Sequence, residues 1–139
     1  MSLFTKLFTS ARIPEKQSSN FDTDKIIYDL YSLNDGIIPS AEKGIVSTGI
    51  EIALPNDYFG QIIPHPHLSV RGIHACQRHL YREGQDFIIM GGDIPSTRND
   101  GEIRLNILNI NDTPFEYRSG EKIAQLILTK INTNHEETI

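Results

Sequence analysis

The pattern that most constrains this chain is a two-residue alternation of apolar and polar side chains. It restarts about every 8–12 residues, with turn residues between the restarts. Ile50, Ile52 and Leu54 share one face of residues 44–54, and Ile103, Leu105 and Ile107 share one face of residues 103–110. Successive side chains of a strand point to opposite faces, so each segment can bury one side and wet the other. Residues 26–31, 58–63, 87–90, 115–118 and 122–128 read as further strands. Asn34-Asp35-Gly36, Pro55-Asn56-Asp57, Asn111-Asp112-Thr113-Pro114 and Ser119-Gly120-Glu121 supply the corners. Pro64 and Pro66 are expected to stop the strand that begins at Tyr58, because proline offers no N–H to a ladder. Residues 73–82 read as the one helix, with Ile73, Cys76-Gln77 and Leu80 on a shared face, while residues 15–25 and 77–86 read as polar loops. A polar, acidic tail is expected from Thr129 onward.

The chain has 139 residues, which suits a single domain over residues 1–139. With 38% hydrophobic and 22% charged residues, a folded core is expected and not disorder. No apolar run reaches the length of a membrane span, and the first ten residues hold no continuous apolar stretch of the secretory kind. A cytoplasmic or nuclear protein without membrane partners is the expectation. Cys76 is the sole cysteine, so no intrachain disulfide can form and a reducing compartment fits. The net charge of -5 argues against a nucleic-acid polymer as ligand, since phosphate contacts need clustered Lys and Arg.

Tyr28-Asp29-Leu30-Tyr31-Ser32, Thr48-Gly49-Ile50, Leu54-Pro55, Tyr58-Phe59-Gly60-Gln61-Ile62, Gly101-Glu102-Ile103 and Gly120 through Ile127 occur in an order and spacing that resemble the trimeric dUTPases. The resemblance covers nearly the whole chain. It implies an all-β, jelly-roll-like dUTPase fold and a homotrimer. It places the Leu3-Phe4 and Leu7-Phe8 pairs on a first strand, and it implies that Asp29 and Gln125 lie near the phosphates and metal of a nucleotide site.

The departures from the family pattern concentrate in its phosphate and water motifs. The family's second motif, Pro-Arg-Ser-Gly-Leu-Ala, holds triphosphate oxygens with charged and backbone donors. Here it reads Pro64-His65-Pro66-His67-Leu68-Ser69. In the third motif the water-orienting Asp falls on Ser96, the Tyr on Asn99 and the Arg on Asp100. A gap brings in Asp93, so Asp93 and Asp100 are the remaining candidates for activating water. The chain ends at Ile139, before the family's glycine-rich closing arm would begin, and residues 74–86 read as an inserted loop.

His65, His67, His74, Cys76 and His79 lie within fifteen residues (65–79), and imidazole and thiolate are typical zinc ligands. They are candidate zinc ligands, set against surface and loop residues that fill an emptied site. Three functions stay open. The first, and the expectation, is a protein that has lost dUTP hydrolysis, binds dUTP poorly and acts through an unidentified protein partner, a non-enzyme. The second is a divergent, magnesium-dependent dUTP diphosphatase. The third is a nucleotide- or metal-binding module without turnover.

Overall fold

The computed structural model describes residues 3–17, 25–55, 57–83, 86–90 and 102–131. Among these, twelve strands and one short helix follow one another. They are β1 (Phe4–Lys6), β2 (Glu15–Lys16), β3 (Lys25–Tyr31), β4 (Gly36–Ile38), β5 (Lys43–Ile52), β6 (Tyr58–Pro64), α1 (Pro66–Ser69), β7 (Ile73–Ala75), β8 (Arg78–Glu83), β9 (Asp86–Met90), β10 (Glu102–Asn109), β11 (Phe115–Tyr117) and β12 (Lys122–Lys130). One sheet has the order β1-β5-β10-β7, a second β2-β3-β12-β6-β8-β9, and β4 pairs β11 in a small third. The architecture is the expected all-β, jelly-roll-like one. No described helix is long and apolar enough to cross a membrane.

The alternation does what its period dictates. Ile50, Ile52, Leu105 and Ile107 from one sheet join Leu30, Ile62, Leu126 and Leu128 from the other in one buried cluster. Full burial of such a side chain is worth roughly 1.5–3 kcal/mol, so these inward faces hold the two sheets together. β12 sits between β3 and β6 in the six-stranded sheet, both antiparallel. Its core face carries Ala124, Leu126 and Leu128, and Gln125 is turned to the other face.

Two bulges interrupt the ladders. In the β5–β10 pair the register shifts between Glu102 and Arg104. There Thr48 donates its hydroxyl to the Ile103 carbonyl at 2.7 Å, and the Gly49 N–H donates to Glu102 Oε2 at 3.0 Å. Gly49 has φ +70°, and a Cβ on it would lie 3.0 Å from both Ala11 and Leu33 side chains, so the position is built for glycine. In the β3–β12 pair the register shifts between Lys122 and Ala124. Ile123 and Ala124, neighbours in sequence, both join the one hydrophobic core, which the bulge permits.

Several expectations are corrected. Residues 73–82 form β7 and β8 and no helix. Ile73 and Ala75 are buried on β7, then Arg78 and Leu80 on β8. Pairing passes from β10 to β6 between them. The inward parity slips by one there, which leaves Ile73 and Leu80 seven residues apart and imitates a helical face. The segment read as an inserted loop, 74–86, is therefore mostly strand, and β8 pairs β9. Pro64 ends β6 as its last residue, and Pro66 opens α1. Glu15 and Lys16, read as loop, pair β3. β1 contains Phe4, but Leu7 and Phe8 lie beyond it and are exposed. β12 continues through Lys130, two residues into the expected tail.

Candidate active site

Asp29 is buried at 4% exposure on the face of β3 opposite the core residue Leu30. β12 brings Gln125 directly across from it, and on the far side Gln125 faces Ile63 of β6, two residues before His65. The first, second and fourth motif segments thus converge by strand pairing alone. A buried carboxylate is costly unless its oxygens find donors. Gln17 Nε2 donates to Asp29 Oδ1 at 2.9 Å and Gln125 Nε2 at 3.4 Å. His65 Nε2 lies 3.3 Å from the same oxygen, and Lys122 Nζ lies 3.5 Å from Oδ2. Burial pushes the Asp29 pKa up. The Gln125 and Gln17 hydrogen bonds, then Lys122 and His65, outweigh it and hold the carboxyl below its ordinary range. Asp29 is a fixed negative charge at neutral pH.

His65 is the opposite case. Burial lowers its pKa, and the charges of His67 and Lys122 lower it further, against the pull of Asp29. Its imidazole is neutral at pH 7. Nδ1 accepts the His67 N–H at 3.3 Å, capping α1, so the hydrogen-bond pattern assigns the ring proton to Nε2. That buried Nε2 has no aligned hydrogen-bond acceptor, despite its approach to Asp29.

A second network braces the same corner. The Tyr31 hydroxyl donates to Glu15 at 3.0 Å, and the Arg12 guanidinium lies 3.9 Å over the Tyr31 ring. Arg12 also pairs with Glu15 at 3.8 Å and donates to the Gly120 carbonyl at 3.3 Å. Burial, with Glu15 beside it, pushes the Tyr31 pKa up to about 12.

Of the sequence candidates, Asp29, Gln125 and His65 come together. His67 is exposed at the same turn, its ring 5.6 Å from that of His65. His74 pairs with β10 in one sheet and His79 with β6 in the other, with Cys76 at the crossing. No group of three potential ligands for a metal ion exists among the described residues, so the five do not assemble a zinc centre. Asp93 and Asp100 lie outside the described residues. Sequence reasoning missed Gln17 and Lys122. Lys122 stood inside the recognised fourth motif, whereas nothing local marks Gln17, which reaches Asp29 only through the β2–β3 pairing.

A profile of the dUTPase family matches residues 10–139. The chain belongs to the dUTPase family. It is 32% identical over 132 residues to the probable deoxyuridine 5'-triphosphate nucleotidohydrolase of Schizosaccharomyces pombe, covering 94% of this chain and 81% of the yeast protein. It is 34% identical over 104 residues to the rat enzyme of that name, covering 75% of this chain and 44% of the rat protein. The chain thus matches less than half of the rat relative's length. Among solved structures, the dUTPase of Staphylococcus bacteriophage 80alpha superposes with a TM-score of 0.68 at 19% identity, covering 95% of this chain and 91% of the phage chain. EIAV dUTPase superposes with a TM-score of 0.58 at 20% identity, covering 96% and 91%.

These relatives overturn the expectation of a dUTPase-fold protein without hydrolysis that acts through a protein partner. Family members 30–34% identical over most of the chain, from yeast to rat and vaccinia virus, carry the nucleotidohydrolase name. The substitutions at His65, Pro66 and His67 remove individual phosphate donors. They leave the strand convergence around Asp29 standing.

Proposed function

We propose that this dUTPase-family chain hydrolyses dUTP to dUMP and pyrophosphate as a homotrimer. The observation that carries the reading is the ionised, buried Asp29 held by Gln125 and Gln17 where the motif segments converge. A structural carboxylate is more cheaply left exposed. One desolvated and held as an anion beside a half-exposed lysine suits a site that receives a charged ligand. The resemblance assigns Asp29 and Gln125 to the phosphate and metal end of the nucleotide. We assign the activation of water to Asp93 or Asp100.

The phage phi11 dUTPase, a structural neighbour, coordinates a structural Mg(II) ion. Magnesium is commonly held by one or two carboxylates together with substrate phosphates. The single carboxylate of Asp29, with no three-ligand group among the described residues, fits that mode and does not fit a protein-only cage. Asp29 is the residue that would hold the ion, whose chemistry is to neutralise phosphate charge. The test is pyrophosphate release from dUTP by micromolar protein with Mg²⁺. Release above the protein-free blank is expected, and its absence rejects the hydrolase reading.

A further inference from the structure

We propose that Lys122, turned toward Asp29 by the bulge at Ile123, supplies the cationic triphosphate contact that the second motif of this chain lacks. The inference rests on the hydrolase reading above and assigns a residue within it.

A Mg²⁺ held at Asp29 would answer only part of the charge of a triphosphate, so donors and positive charge are needed beside it. The second motif offers little. The His65 Nδ1 is already occupied by the His67 N–H. Pro66 has no N–H. The Leu68 and Ser69 N–H groups both bond the His65 carbonyl inside the turn. Arg12, the other cation at this corner, is engaged by Glu15, by the Tyr31 ring and by the Gly120 carbonyl.

Lys122 differs in position and in freedom. Its Nζ is 3.5 Å from Asp29 Oδ2, and its side chain is 48% exposed. An ammonium has three donors, so contact with one carboxylate oxygen leaves capacity for a phosphate. The backbone shows how it gets there. Lys122 pairs with Tyr31 and Ala124 with Leu30, so Ile123 is the extra residue of a bulge. Under an unbroken alternation Lys122 would share the inward side of Ala124. With the bulge, Ile123 fills the core and Lys122 reaches the Gln125 side of the sheet, where Asp29 lies. Bulges beside active sites commonly re-aim a side chain in this way.

The experiment compares the full chain with Lys122→Met, Lys122→Arg and, as a charge-matched control at the far end of β12, Lys130→Met. Steady-state turnover gives kcat and KM for dUTP, and calorimetry gives the affinities for dUTP and for dUMP, which lacks the outer phosphates. Loss of one charged phosphate contact predicts a KM for dUTP raised about tenfold to a hundredfold in Lys122→Met. The affinity loss should be larger for dUTP than for dUMP, with Lys122→Arg recovering most of it and Lys130→Met matching wild type. Lys122→Gln repeats the comparison if circular dichroism shows Lys122→Met unfolded. Wild-type hydrolysis with an unchanged KM in Lys122→Met, or an equal loss for dUTP and dUMP, overturns the assignment to Lys122 alone. A wild-type chain that neither binds nor hydrolyses dUTP overturns the hydrolase reading and this one with it.

Discussion

Gln125 stands directly across the antiparallel β3–β12 pair from Asp29, and its amide donates to the Asp29 carboxylate at 3.4 Å. The pairing is a property of register, so neither side chain has to be steered by a loop. Gln125→Ala removes a donor and leaves the strand packing in place, since the core face belongs to Ala124 and Leu126. dUTP turnover should fall about 10–100-fold, the range seen when an outer partner of a ligating group is removed. Asp29→Asn should cost more, because it removes the charge itself. Steady-state kinetics on both variants, with circular dichroism to confirm folding, checks the order. Equal activity in wild type and Asp29→Asn would remove Asp29 from the site.

Stability should decline in two limbs as the solution is acidified. His65 has a folded pKa below its unfolded one, so its contribution is present above about pH 6.5. Below that the unfolded chain takes up a proton first, and the contribution is lost as pH falls through the folded value. Asp29 is also depressed, so its contribution is present above about pH 4 and is lost as pH falls through its own folded value. Urea midpoints measured from pH 8 down to about pH 3 should show both limbs. Asp29→Asn should flatten the lower limb and His65→Asn the upper. A midpoint that rises on acidification would contradict both assignments.

Gly49→Ala tests the β5 bulge. The residue sits at φ +70°, with Ala11 and Leu33 side chains 3.0 Å from the position of an added Cβ. The left-handed backbone alone costs a non-glycine residue about 1–2 kcal/mol, and the two contacts add to it. Denaturant unfolding should register a loss of at least that size. A neutral substitution would mean that the strand relaxes out of the bulge.

The proposed trimer predicts a solution mass near three times that of the 15.7 kDa chain. Ile37, Ile45 and Ile110 are each more than half exposed in the single chain, apolar surface that assembly can cover. Light scattering on purified protein decides the matter, and a monomer at micromolar concentration would reject the trimer.

Most of the framework was legible because its signals are local. β5 and β10 announce themselves by alternation, and the corner at Gly120 by a glycine that adopts φ +84°. Asp29 and Gln125 were legible as a pair through the family motifs that contain them. The failures share a cause, which is a shift of register. A one-residue parity slip between Ala75 and Arg78 made two strands look helical, and the bulge at Ile123 hid the reach of Lys122. Gln17 was illegible for a different reason. Its contact with Asp29 depends on pairing across residues that carry no apolar pattern, since Glu15 and Lys16 are both exposed. The clustered histidines misled because closeness in sequence says nothing about which sheet a strand joins.

The turn at His65 closes on itself. Its imidazole takes the His67 N–H and its carbonyl takes those of Leu68 and Ser69, so the turn holds its shape with no phosphate present. A nucleotide arriving there meets a finished wall and does not have to organise one. Such a chain forgoes contacts on that side, but it also avoids the ordering entropy that a loose phosphate loop must surrender on binding. Under the hydrolase reading, selectivity for long phosphate chains would then rest on Lys122, at the other carboxylate oxygen of Asp29.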